Sequence, residues 1–155
     1  MSNVDAGAEL PTVPHWIDGG PREGTSGRTA PVYDPALGEA TKRVHLADAA
    51  EVDAAVASAK AALSTWSTQS IAKRSAVLFA FRELFNARKD ELAQILTSEH
   101  GKVLSDAAGE IARGLEVLEF ALGFPHLLKG KYSENVSTGV DVYTLQQPLG
   151  VVGII

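Results

Sequence analysis

The nonapeptide Gln147-Pro148-Leu149-Gly150-Val151-Val152-Gly153-Ile154-Ile155 constrains the fold more than any other stretch, because it is the most hydrophobic run and the sequence stops on it. A short apolar run of β-branched residues without a period of two reads as a strand buried on both faces, as inside a parallel sheet. Burying Val151, Val152, Ile154 and Ile155 would contribute roughly 1.5 to 3 kcal/mol each, comparable with the whole net stability of a domain, about 5 to 15 kcal/mol. One reading is a terminal edge strand tucked against helices. The sharper reading is that Ile155 marks a cut, with most of the functional protein beyond it.

The 155 residues, 45% hydrophobic and 21% charged, suffice for one ordinary globular domain. A net charge of -5 and a pI near 5.3 argue against bulk attraction to nucleic acid or anionic membranes. With no cysteine, these residues supply no disulfide, thiolate metal site or cysteine nucleophile. The N-terminus lacks the basic and apolar regions of a secretory signal, and no apolar run reaches membrane-spanning length. Cytoplasmic residence is therefore the expectation.

Residues 1–13 mix small, polar and Pro residues without period and read as a flexible arm. His15-Trp16-Ile17 is a short strand closed by Asp18-Gly19-Gly20, which favours a tight hairpin turn. A second hairpin pairs Thr29–Tyr33 with Ala40–Leu46 across Asp34-Pro35-Ala36-Leu37-Gly38. Asp48 with Glu51 forms a capping box for a first helix, whose apolar stripe runs from Val52 through Ala55, Val56, Ala59 and Leu63 to Trp66. Ser70 caps a second helix and Asp90 a third, which stops near His100-Gly101. A fourth starts near Ser105 or Asp106 and runs to Phe124, stopped by Pro125. Its apolar residues nearly encircle it, which predicts deep burial. Alternation over Gly139–Gln147 predicts a half-exposed antiparallel strand.

His15, His45, His100 and His126 sit alone in the sequence, without a second ligand at helical spacing, so surface or packing roles outweigh metal binding. Gly150-Val151-Val152-Gly153 lacks the three-glycine dinucleotide fingerprint. Arg113 has the unusual setting, mid-helix in the most apolar helix. A local ion pair with Glu110 or Glu116, one turn away on either side, is one account. A fork for a substrate carboxylate is the other, since guanidinium matches carboxylate in a bidentate manner.

Trp16-Ile17-Asp18-Gly19, the Tyr33–Glu39 hairpin, the alanine-rich helix ending in Trp66, Glu99-His100-Gly101-Lys102 and Pro148-Leu149-Gly150-Val151-Val152-Gly153-Ile154 together resemble the N-terminal third of the aldehyde dehydrogenase superfamily. The resemblance covers residues 15–155. Ser98–Lys102 and Ile111–Ala121 are most similar to its CoA-acylating branch, the methylmalonate-semialdehyde dehydrogenases. That likeness implies an α/β fold in which short hairpins and helices lead into the first strand of a Rossmann-like sheet. It implies an oxidoreductase that uses NAD to oxidise methylmalonate or malonate semialdehyde, with coenzyme A as acyl acceptor and propionyl-CoA or acetyl-CoA as product. It further implies that Arg113 holds the substrate carboxylate, and that the Tyr143 strand exchanges sheet contacts in a homo-oligomer, a dimer or tetramer.

The expected organisation is a flexible arm over 1–13, part of the NAD-binding domain over 14–131, an oligomerisation strand region over 132–148, and the first strand of the nucleotide-binding sheet over 149–155. The family's catalytic thiol, general base and most cofactor contacts fall outside these residues, so no catalytic or cofactor-binding position is assigned and the 155-residue chain alone is expected to be inactive. Two rivals stand. One is another NAD(P)-dependent aldehyde dehydrogenase, such as a succinate-semialdehyde type. The other is a non-enzymatic helical interaction module binding partners through its strand edge.

Overall fold

A computed structural model describes residues 9–155, so most of the expected flexible arm lies outside the described residues. The remainder of that arm is partly ordered: β1 (Thr12–Val13) pairs in parallel with β5 (Glu39–His45). Strand β5 also pairs antiparallel with β4 (Thr29–Asp34), so the sheet order is β1-β5-β4. The turn between them is stapled by Asp34, whose Oδ1 accepts from the Ala36 amide at 2.9 Å. A separate hairpin joins β2 (His15–Ile17) to β3 (Gly20–Arg22), with Asp18 and Gly19 both at positive φ, 57° and 75°, as a tight primed turn requires.

Helix α1 (Ala49–Trp66) opens on the expected capping box: Asp48 Oδ1 accepts from the Glu51 amide at 2.9 Å, and Glu51 Oε2 accepts from the Asp48 amide at 2.9 Å. Helix α2 (Ile71–Ala87) is capped by Ser70, as expected. Helix α3 (Lys89–His100) differs from expectation. Its N-cap is Arg88, with no side-chain cap bond, and Asp90 lies inside the first turn, where a carboxylate favours the positive helix end without capping it.

Helix α4 (Leu104–Ala121) ends before Phe124, and Pro125 does not stop it. Pro125 instead occupies the first turn of the short α5 (Phe124–Leu127), where its missing N–H costs nothing. Strand β6 (Tyr132–Ser137), which periodicity had not indicated, forms a hairpin with β7 (Val140–Tyr143). The expected strand over Gly139–Gln147 is thus shorter, and it is exposed on both faces rather than half-exposed.

Two residues among those described are fully buried, Ala93 on α3 and Ala107 on α4, at 1% and 0% exposure. They mark where α3 and α4 meet, small side chains allowing close approach of the helices. The expected deep burial of α4 is not realised: Phe120 is 83% exposed. The buried strand expected over 149–155 does not form either; this run has no strand partner, and Ile154 is 91% exposed. A strand buried on both faces needs neighbours on both edges, and none lies beside it among the described residues. The chain exposes 12011 Å², against about 7,500 Å² for a compact monomer of this mass.

Candidate functional site

Arg113 projects from the middle of α4, whose start is set by the segment Glu99-His100-Gly101-Lys102. Gly101 closes α3 in the left-handed region at φ 82°, its amide donating to the Thr97 carbonyl at 2.8 Å. A Cβ there would lie 2.9 Å from the Pro35 Cβ, so only glycine lets α3 end against the β4–β5 turn. Lys42 Nζ, donating to Glu99 Oε1 at 2.9 Å, ties the same helix end to β5. Lys102 then folds its ammonium over the first turns of α4, 2.8 Å from Asp106 Oδ2 and 2.6 Å from Glu110 Oε1. The hydrogen bonds to Asp106 and then Glu110 hold the Lys102 ammonium above its ordinary pKa. Lys102 in turn holds the Asp106 carboxyl below the usual carboxylate range, with a smaller pull from the charge of Arg113.

Arg113 itself is exposed, and no carboxylate among the described residues pairs with it. The local pair with Glu110 or Glu116 considered from sequence is not formed: Glu110 bonds Lys102 instead, and Glu116 makes no ion pair among the described residues. Exposure also removes the desolvation cost inferred from the apolar helix around it. Val117 and Phe120, four and seven residues on, continue its face and are exposed too. Arg113 therefore heads a stripe with one free guanidinium and large apolar groups behind it. Such a stripe can bind a carboxylate by paired N–H donors once the apolar part is covered. Arg82 and Glu119 link α2 to α4 below this stripe, with Arg82 Nε donating to Glu119 Oε1 at 2.9 Å.

In a second cluster the structure brings together two of the histidines that stand alone in the sequence. The His15 and His45 rings are 6.1 Å apart, with Glu51 Oε1 3.7 Å from His15 Nε2 and Glu23 Oε2 2.7 Å from His45 Nε2. Glu51 is held below the usual carboxylate range, first by the Thr25 amide, which donates to it at 2.6 Å, and then by the Asp48 amide. These contacts fasten the β2–β3 hairpin and its following loop to the start of α1. No local spacing signals them; only the capping-box role of Glu51 could have been read in advance. Beside them a cleft of about 880 Å³ is floored by the α1 alanines 54, 57 and 61 and rimmed by Asp18, Arg22 and Glu23. No group of three or more His, Cys, Asp or Glu side chains among the described residues is arranged to hold a metal ion.

The family model for the aldehyde dehydrogenase family matches residues 22–155. A malonate-semialdehyde dehydrogenase of Pseudomonas aeruginosa is 40% identical over 138 residues, 89% of this chain and 28% of that protein. The mitochondrial acylating methylmalonate-semialdehyde dehydrogenase of Arabidopsis thaliana is 43% identical over 141 residues, 91% of this chain and 23% of its own length. Among solved structures, a protein assigned as methylmalonate-semialdehyde dehydrogenase from Sinorhizobium meliloti, complexed with NAD, superposes with a TM-score of 0.87 at 43% identity, covering 92% of this chain and 29% of that one. The chain spans less than a third of the length of these relatives.

Proposed function

The chain belongs to the aldehyde dehydrogenase family, and from that premise we propose that it forms the N-terminal part of an NAD-dependent, CoA-acylating methylmalonate- or malonate-semialdehyde dehydrogenase. The observation that carries this reading is the high similarity, along nearly the whole chain, to relatives named for those two semialdehydes. The unpaired Arg113 guanidinium supports it from the chemistry of the substrate, because both semialdehydes carry a carboxylate at the end opposite the aldehyde. Arg113 would hold that carboxylate and fix the distance to the reacting carbon. In the proposed reaction the aldehyde carbon gives a hydride to NAD, its acyl group passes to coenzyme A, and the substrate carboxylate leaves as carbon dioxide.

Among the described residues Gly150-Val151-Val152-Gly153 has no strand partner, its near neighbour being Leu63 of α1, and none of the four is assigned to NAD. The thiol that family chemistry requires is likewise not supplied here, since the chain has no cysteine. We accordingly propose that 149–155 becomes the first strand of the nucleotide-binding sheet when its neighbours are present, that the β6–β7 hairpin is an assembly arm in a homo-oligomer, and that the enzyme works in the cytoplasm. No helix among the described residues is long and apolar enough to cross a membrane.

The test is Arg113→Leu in the full-length polypeptide carrying this chain. The KM for malonate semialdehyde should rise about ten-fold or more, the range for losing charge-assisted hydrogen bonds, while the KM for propanal stays put. Equal effects on both aldehydes would remove Arg113 from the substrate site. NADH formation by the isolated 155-residue chain would overturn the division of labour proposed for it.

A further inference from the structure

Asp106, Glu110 and Arg113 follow one another at steps of four and three residues, a spacing that aligns them along one side of α4, and Lys102 stands four residues before Asp106, just ahead of the helix. Side chains on a helix lean toward its N-terminus, so Arg113 leans toward Glu110 and, a turn further, Asp106. The charge of Arg113 does reach Asp106. Glu110, one turn before Arg113, is the potential partner on the side toward which Arg113 leans, yet the bond it makes is to Lys102. Lys102 Nζ bridges Asp106 at 2.8 Å and Glu110 at 2.6 Å, and the Lys102 side chain is only 11% exposed, which restrains it over both carboxylates.

We propose that Lys102 is a positioning residue: by occupying Glu110 and Asp106 it prevents them from closing on Arg113 and leaves the guanidinium available to a carboxylate-bearing substrate. The inference rests on the reading of Arg113 as the substrate's carboxylate fork. Without Lys102, Glu110 competes with the substrate for Arg113. Apparent affinity then falls by the fraction of time Arg113 spends paired.

The test uses four variants of the full-length polypeptide, Lys102→Met, Glu110→Gln, the double variant and Arg113→Leu, each assayed with malonate semialdehyde and with propanal. Lys102→Met should raise the KM for malonate semialdehyde about two- to five-fold, the range for an exposed ion pair on a helix, with the KM for propanal unmoved. Adding Glu110→Gln to Lys102→Met should return the semialdehyde KM toward wild type, a rescue that a purely structural role for Lys102 would not produce. An unchanged semialdehyde KM in Lys102→Met, or no rescue in the double variant, overturns the proposal while leaving Arg113→Leu to report on the carboxylate fork independently. Should Lys102→Met fail to fold, Glu110→Gln alone decides. A semialdehyde KM raised two-fold or more by that variant would mean that Glu110 supports Arg113 instead of competing with it.

Discussion

The α3–α4 pair and the stretch from Tyr132 to Ile155 are both rich in apolar side chains, but only the first contributes a fully buried residue. In the pair, Ala93 and Ala107 are fully buried where the helices meet, and Lys102 spans the first turns of α4. In the hairpin and tail almost every residue is exposed, and the ordering interactions are local: Tyr132 Oη donates to Asp141 Oδ2 at 2.7 Å, and the Asn135 amide donates to Asp141 Oδ1 at 2.9 Å. Hydrophobicity in a sequence therefore states a demand for partners. It does not state whether those partners belong to the same segment of chain.

Amide hydrogen exchange on the isolated chain should show the largest contrast. Amides of 149–155 should exchange as fast as in an unfolded peptide, while those flanking Ala93 and Ala107 should be slowed by orders of magnitude, because exchange follows the free energy of local opening. Protection over 149–155 would mean that the tail finds a partner within the chain or in a second copy. Ala107→Leu should come next, destabilising by about 1 to 3 kcal/mol through overpacking at the helix contact, whereas Val152→Leu in the tail should leave the denaturation midpoint unmoved. A silent Ala107→Leu would show that the α3–α4 contact is loose.

Asp48→Ala should cost about 1 kcal/mol through loss of the α1 cap, read as a shift of the urea midpoint. The Glu51 carboxyl, depressed in the folded state by the Thr25 and Asp48 amides, contributes stability that is present above its ordinary pKa and lost as pH falls through the folded value. Glu51→Gln should accordingly flatten the acid limb of the stability profile and leave the neutral-to-basic limb parallel to wild type. An unchanged acid limb would remove Glu51 from the linkage. Smallest of all, Tyr132→Phe should leave the urea midpoint within error of wild type, as expected for an exposed side-chain hydrogen bond.

The features that sequence reading placed correctly are local in origin. The Asp48–Glu51 box, the Ser70 cap and the Asp18-Gly19 turn each involve residues within three positions of one another, so composition and spacing suffice. Pro125 was misassigned because one residue type ends a helix or begins the next, and only the backbone conformation of 122–124 distinguishes the two cases. The encircling apolar pattern of α4 did not reveal how much of it this chain covers. At the candidate site Arg113 stands out through its apolar surroundings, and helix spacing alone offers Glu110 or Glu116 as its partner. Lys102 precedes α4 and reaches Glu110 across eight positions, a contact that spacing within the helix does not indicate because Lys102 lies outside it. The meeting of His15 with His45 depends on how a hairpin, a sheet strand and a capping box are assembled, which lies beyond any window of sequence.

The large exposed surface also fixes how the isolated chain responds to heat and denaturant. An unfolded chain of this mass exposes about 23,600 Å², so folding to 12011 Å² removes only about half of it, where a compact domain of this length removes about 68 to 70%. Heat-capacity change and denaturant sensitivity both scale with the area exposed on unfolding. The isolated chain should therefore melt over a broad range with a shallow urea slope, and any partner surface that covers its exposed apolar groups should steepen both transitions.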